Sequence, residues 1–324
     1  MVHLPTGYVA TFPFFTRLVR GVNPRQSTGM LAFQTHGVRS YGNIYVALIA
    51  LAFSGMLLYA SGGRAEMKNL PAELIQAIQQ GQLRIVDLTH ALDERSPFWP
   101  DGTEPFPIHA KAVATFERDG FFARTLQIPE HFGTHMDAPL HFDPKGASLD
   151  QIAVEKFVVP AVVVDVTAAA ASSPDYRVTV ADLEQWVNAH GPMPSGCAVL
   201  IHTGWASRWP SQERYVNQDA QGVMHFPGLS IEAARYLLEH AHLVCIGIDT
   251  PSVDYGPSED FKVHHFTMAA GLYHLEGLAN LDLLPATGAC IIALPMKLRG
   301  GSGSPTRVLA LVVIQSDITC SGAL

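Results

Sequence analysis

The stretch His131-Phe132-Gly133-Thr134-His135-Met136-Asp137-Ala138-Pro139-Leu140-His141-Phe142 constrains this chain more than any other. It sets three imidazoles and one carboxylate in a single short run. His131 and His135 stand four apart, His135 and Asp137 two apart, and Asp137 and His141 four apart. A histidine pair at i and i+4 suits one face of a helix. Gly133 and Pro139 argue against that, because glycine weakens a helix and proline removes one of its hydrogen bonds. The run therefore reads as a strand end followed by a tight loop. Gly133 would let the backbone approach a bound ion, and Pro139 would stiffen the exit. Imidazole nitrogen and carboxylate oxygen are the donor set of zinc and manganese sites. Chance clustering is the competing reading, since the chain has 15 histidines. Three imidazoles and an aspartate gathered in one loop are costly without a cation, so ligation is the stronger reading.

The segments around this run alternate between two periodicities. Residues 84–88, 122–128, 158–166, 197–202, 242–248, 289–294 and 308–314 read as strands, most of them apolar and β-branched throughout as buried strands are. Pro71, Glu73 and Gly81 bracket a short helix. Thr179 caps a helix to about His190 with Leu183, Trp186 and Val187 on one face, and Ser230 caps another to about His240 with Ile231, Ala234, Leu237 and Leu238 inward. Strands alternating with helices define a mixed α/β class. Residues 96–102 read as a turn-rich loop, and residues 209–227 as a long aromatic-bearing loop with the character of a pocket lid. The strand at 122–128 would feed directly into His131, placing the ligands on a rigid sheet.

A metal site usually gains donors from distant sequence. The segment beginning Asp249-Thr250-Pro251-Ser252 leaves a strand and turns as binding loops do, and His264, His265 and Glu276 follow it. A surface helix carrying Glu276 is the plain alternative for that carboxylate. The run Gly300-Gly301-Ser302-Gly303-Ser304-Pro305 has neither a P-loop lysine nor a helix start after it, which makes a phosphate loop the weaker reading beside a structural one.

The formal net charge of −8, with no Lys- or Arg-rich block, excludes nucleic acid as a partner. Cys197, Cys245 and Cys290 lie in or beside apolar runs and read as buried free thiols, while Cys320 is open to either state. Residues 44–60 are apolar and uncharged, short for a membrane span but ample for a signal-peptide core. We therefore divide the chain into a leader, residues 1–65, and a main domain, residues 66–324. The leader reads as an export signal preceded by a mis-assigned start, with Met30 the true one, or as a single-pass anchor. A buried core helix is the alternative, which would leave the protein cytoplasmic.

The pattern His-x-Gly-Thr-His-x-Asp-x-Pro-x-His resembles the signature of the metal-dependent cyclase family, which includes bacterial kynurenine formamidases and isatin hydrolases. His131, Gly133, Thr134, His135, Asp137, Pro139 and His141 meet every fixed position. The resemblance runs from about Asp87 to the C-terminus. It implies a single mixed-sheet α/β domain of the swivelling β/β/α type and a divalent metal, zinc or manganese, with one or two ions per chain. His131, His135 and Asp137 would hold the first ion. Asp137, His264 and Glu276 would hold a second, the last two matching the family's His and Glu in their spacing of twelve, with His265 an alternative if the register slips by one. The aromatic loop with Phe98 and Trp99 would border the substrate pocket, though those side chains could equally cover the core. His141 would be the catalytic proton carrier, since an imidazole titrates near ~6.5 and the family pattern does not count it among the ligands. The resemblance further implies hydrolysis of a C–N amide bond in a small aromatic or cyclic substrate, and a homo-oligomer. Two rivals share the ligand set: a cyclase or lyase without net hydrolysis, and a non-catalytic metal-binding protein of the cell envelope.

Overall fold

Aliphatic and β-branched residues crowd the segments that form strands, and the computed structural model, which describes residues 69–100 and 108–314, gathers most of them into one sheet. The strands are β1 (Leu83–Asp87), β2 (His109–Ala114), β3 (Ala123–Gln127), β4 (His135–Asp137), β5 (Val158–Asp165), β6 (Arg177–Val178), β7 (Cys197–His202), β8 (Gly228–Leu229), β9 (Leu243–Ile248), β10 (Tyr273–Glu276), β11 (Ala289–Pro295) and β12 (Gly303–Val313). The longer helices are α1 (Leu70–Gln79), α2 (Val180–His190), α3 (Ile231–His240) and α4 (Lys262–Ala269).

The main sheet has the order β1-β12-β11-β5-β7-β9-β10-β4, and β4 pairs again with β12. Seven strands thus return on themselves, with β1 added outside β12. Strands β5, β7, β9 and β10 run parallel, while β4, β11, β12 and β1 complete the sheet by antiparallel pairing. Closure depends on the length of β12. Its first residues pair with β4 and its remainder with β1 and β11.

Alternation along each strand splits the core in two. Ala161, Leu200, Cys245 and Leu275 pack on one face with Leu88, Met136 and Ile291. Val162, Val199, Ile201 and Ile246 pack on the other against Leu183 and Trp186 of α2, Ala233, Ala234 and Leu237 of α3, and Val263 of α4. Burying a side chain of the Leu or Ile class contributes about 1.5–3 kcal/mol, so these two layers hold the sheet between them. The helices start where their caps predict. Thr179 accepts from the backbone of Asp182 while Asp182 reaches back, and Ser230 accepts from Ala233 N. Ile231 and Leu238 are only half-buried, and Ala233 takes a place on the inward face.

Three expectations, and the alternative reading of Glu276, need correction. The strand at 123–127 pairs with β2 in a separate two-stranded sheet rather than carrying the ligands. His131 lies in a loop, and the strand follows it as β4, so the order is loop, strand and then a 3-10 turn at Pro139–His141. Residues 209–227 are not a bare loop: they contain a helical turn, Gln212–Val216, and bury Tyr215, Val216 and Phe226. Glu276 sits on a buried strand, not a helix surface.

Cys197 and Cys245 are buried free thiols and Cys290 a half-buried one. The leader with its apolar run at 44–60, residues 101–107, and Cys320 lie outside the described residues. Among the described residues, no helix is long and apolar enough to cross a membrane.

Candidate metal centre

Strand β4 is three residues long, and its alternation sets His135 and Asp137 on one side and Met136 on the other, in the core. Its neighbour β10 alternates in the same way. Tyr273 and Leu275 join Met136, which leaves His274 and Glu276 on the polar side. The register makes His274 the partner of Asp137 and Glu276 the partner of His135. Helix α4 brings His264 to the same place, and the loop before β4 brings His131. Sequence residues from three distant segments thus meet at one point.

The distances are those of a single constellation. His131 Nδ1 lies 2.6 Å from Asp137 Oδ1, and His135 Nε2 lies 3.1 Å from the same oxygen. His135 Nε2 is 3.5 Å from Glu276 Oε2. His264 Nε2 is 3.5 Å from Asp137 Oδ2 and 3.3 Å from Glu276 Oε1. His265, one residue on, is exposed and meets the edge of Phe142 instead.

What each imidazole does with its far nitrogen decides what the near one can offer. His135 Nδ1 donates to Gly133 O at 3.0 Å. His264 Nδ1 donates to Asp254 Oδ2 at 2.7 Å. His131 Nε2 lies 3.0 Å from Ser302 Oγ, whose own proton goes to Glu130 Oε2 at 2.7 Å, so the hydroxyl accepts from the imidazole. In each neutral ring the far nitrogen holds the proton, and the near nitrogen aims a lone pair at Asp137 or Glu276. Metal-binding histidines are held in this way, by a carboxylate, carbonyl or hydroxyl behind the ring. Asp137 Oδ2 is buried with no hydrogen-bond partner among the described residues.

The electrostatics agree. Burial opposes a charged His135, yet the Asp137 and Glu276 carboxylates overcome it and hold its pKa up at about 9. Burial likewise opposes charge on His264, but the carboxylates of Asp137, Asp254 and Glu276 around it raise it well above the usual histidine value. Burial would raise Asp137, and the surrounding His135 and His131 instead hold it well below the ordinary carboxylate range. Buried anions here demand positive charge. Protons on imidazoles supply it in the bare chain, and a divalent cation would supply it through the same nitrogens. The donor set therefore fits a divalent cation.

His141 closes the 3-10 turn after β4 and stacks on His131, with ring centroids 3.8 Å apart. Burial lowers its pKa to about 4, so it is neutral at neutral pH and a weaker base than a free imidazole. The glycine of the motif does something other than expected. Gly133 has φ of +63°, and the close approach there is to Gly277, where an added Cβ would lie 2.6 Å from Gly133 O. Thr134 ties the same crossing, donating from Oγ1 to Gly277 O and accepting from His90 N.

A cleft of about 660 Å³ opens over His131, His135, His141, His264 and Glu276. Its apolar walls include Phe98, Trp99, Phe142, Trp209, Tyr215 and Phe261. Phe98 and Trp99 thus border the pocket. Gln212 joins the residue 209–227 segment to the aromatic loop by accepting from Phe98 N at 2.8 Å and donating to Phe98 O at 3.0 Å. Ser302 and Gly303 do not face the cleft but hold His131 from behind.

Sequence reasoning missed His274, although the alternation of Tyr273, His274, Leu275 and Glu276 carries the signal. It also missed Glu130, Asp254, Thr267 and Ser302, whose roles appear only once distant segments are adjacent.

A mixed α/β domain with a buried histidine–carboxylate cluster at the floor of an aromatic cleft defines a metal-site protein built for a small ligand. The chain belongs to the Cyclase family, described as "Putative cyclase", which matches residues 86–255. It is 32% identical over 263 residues to the isatin hydrolase of Roseibium aggregatum, covering 77% of this chain and 98% of that protein. It is 30% identical to the kynurenine formamidase of Geobacillus thermodenitrificans, covering 68% of this chain and 94% of that one. A crystal structure of an isatin hydrolase bound to the product analogue thioisatinate superposes with a TM-score of 0.72 at 28% identity, over 76% of this chain and 99% of that one.

Proposed function

We propose that this protein is a metal-dependent hydrolase that opens the C–N bond of a small, neutral, aromatic cyclic amide. The observation that carries the reading is the convergence of ring nitrogens of His131, His135 and His264 on the Asp137 and Glu276 carboxylates beneath an aromatic cleft. His131, His135 and Asp137 would hold a first ion, and Asp137, His264 and Glu276 would hold a second. The nitrogen and oxygen donors suit zinc or manganese. Such an ion, when bound, lowers the pKa of water and polarises a carbonyl.

The rest belongs to the chain. The aromatic walls hold the planar substrate and exclude bulk water. His141, neutral at neutral pH, takes a proton from the attacking water as the new C–O bond forms. It returns that proton to nitrogen as the C–N bond breaks, which opens the ring to a single product carrying both an amine and a carboxyl group, and the carboxyl gives the second water proton to solvent as it ionises.

Among the described residues, those lining the cleft include no lysine or arginine. An N-formyl amino acid would bring its own carboxylate there without a cationic partner, so a lactam of the isatin kind fits better than an amino-acid formamide. The resemblance to an isatin hydrolase over almost its whole length supports the same choice. The test is product mass from metal-loaded enzyme offered isatin-like lactams, aryl formamides and simple esters. Addition of water to the lactam supports the reading. An isomer of unchanged mass would favour a cyclase or lyase, and inertness toward all three classes would sink hydrolysis altogether.

We also propose that residues 1–65 export or anchor the enzyme and that it assembles as a homo-oligomer. Cell fractionation with N-terminal sequencing tests the first, and sedimentation the second.

A further inference from the structure

His274 has no part in the ligand sets above. It is fully buried on β10, directly across from Asp137. Its Nε2 lies 2.8 Å from Thr267 Oγ1, and that hydroxyl spends its proton on Val263 O at 2.7 Å. Thr267 therefore accepts from His274, which leaves the lone pair on Nδ1. That nitrogen lies 3.9 Å from Asp137 Oδ2, and both atoms are buried with no hydrogen-bond partner among the described residues.

Two acceptors facing each other in a dry interior need something positive, or something with two protons, between them. A cation or a bridging water would meet that need. The donor atoms of Asp137, His264, His274 and Glu276 all lie within 4.8 Å of one another, and all four residues are buried.

We infer that His274 is a fourth protein ligand of the second ion, which makes that site a closed set of two nitrogens and two oxygens. The inference rests on the two-ion reading above. Closed four-ligand sites hold structural metals, and sites with three protein ligands keep a position for substrate or water. The two halves of the cluster then differ in kind. The His131, His135 and Asp137 half opens toward the cleft and turns substrate over. The His264, His274, Glu276 and Asp137 half retains a resident ion that fixes the bridging carboxylate. A second imidazole also shifts the preference of that site toward zinc over manganese, because imidazole is the softer donor.

The test uses the full chain, stripped with a chelator and titrated with Zn²⁺ against a chromophoric competitor. Metal content is counted by elemental mass spectrometry, and thermal melts are taken with and without metal. Thr267→Val keeps shape but removes the acceptor that fixes the His274 tautomer; His274→Gln removes the imidazole. The expected result is two affinity classes in the wild type. The tighter should weaken about 10–100-fold in Thr267→Val, as for other losses behind a ligand, and disappear in His274→Gln. The metal-free melting temperature of Thr267→Val should hold or rise, since a freed His274 can turn its proton toward Asp137. If both variants bind zinc as the wild type does, a water occupies the gap and the inference is overturned, while the proposed function stands. A wild type that takes up no metal would instead overturn the proposed function itself, and this inference with it.

Discussion

Glu276 lies directly across the sheet from His135, and the carboxylate Oε2 stands 3.5 Å from the imidazole Nε2. The other oxygen of Glu276 accepts from Val253 N at 2.8 Å, which aims the group. A backbone register between β4 and β10, rather than a chance meeting of loops, therefore places one residue of each proposed ligand pair beside the other. Because side chains alternate along a strand, a slip of one residue would send His135 and Asp137 into the apolar core.

Asp254 acts only through His264. Its Oδ2 takes the Nδ1 proton at 2.7 Å and also accepts from His264 N at 3.0 Å, while Oδ1 accepts from Val263 N. Asp254→Asn should keep the helix start but lose the charge behind the ring. The expected effect is about 10–100-fold weaker metal binding with little change in fold. Metal titration followed beside circular dichroism checks it, and unchanged affinity would show that Asp254 caps α4 and nothing more.

His141 separates chemistry from ligation. It stacks on His131 at 3.8 Å and lines the cleft. Its nitrogens also come near enough to Asp137 for His131, Asp137 and His141 to form a metal-holding trio. If His141 carries protons, His141→Gln should lower kcat by about 10²–10⁴-fold and leave metal content as it was. Loss of metal along with activity would make it a ligand instead.

Gly303 sits against the face of His131. A Cβ there would lie 2.7 Å from Nδ1, and nothing flexible separates the two. Gly303→Ala should push the ring off Asp137 and weaken binding of the first ion, again about 10–100-fold. Ser302→Ala is the companion variant, since it removes the hydroxyl that fixes the ring by its other nitrogen. Elemental analysis after dialysis reads both. Full metal retention in Gly303→Ala would mean that His131 has room to move without cost.

How much of this could be read from the chain depends on element length. Strands β5 and β7 were legible, since each is a long apolar run facing two cores. Strand β4 was not, because three residues are too few to show a period. Helix α4 was missed as well. Its N-cap position is Phe261 in a left-handed conformation, with no side-chain cap to announce it. His131, His135 and Asp137 stood out as one cluster, whereas His264 and Glu276 came through family resemblance. His274 escaped because β10 has four residues, set between Gly271 and Gly277, and its alternation was too brief to mark. Glu130, Asp254 and Ser302 have no local signature at all: a carboxylate or hydroxyl behind a ring is ordinary until folding sets it there.

The cleft-lining segment at 209–227 carries a pH-dependent tie. His225 Nδ1 lies 2.9 Å from Asp175 Oδ1, and its Nε2 lies 3.3 Å from Asp219 Oδ2. The bond to Asp175 raises the His225 pKa above the usual histidine value against the opposition of burial, with Asp219 adding to the rise. A group raised in the folded state contributes stability that is full below its unfolded value and lost as pH climbs through the folded one. Asp219 itself is lowered, first by the backbone amide of Val223, so its own contribution is present at both ends of this window. The segment should therefore be held more firmly at pH 5.5 than at pH 8.5. Limited proteolysis or amide exchange over residues 217–225 should run slower at the lower pH, after correction for intrinsic rates. In His225→Ala that difference should vanish. Equal protection at the two pH values in the wild type would show the ion pair to be too exposed to tie the segment down.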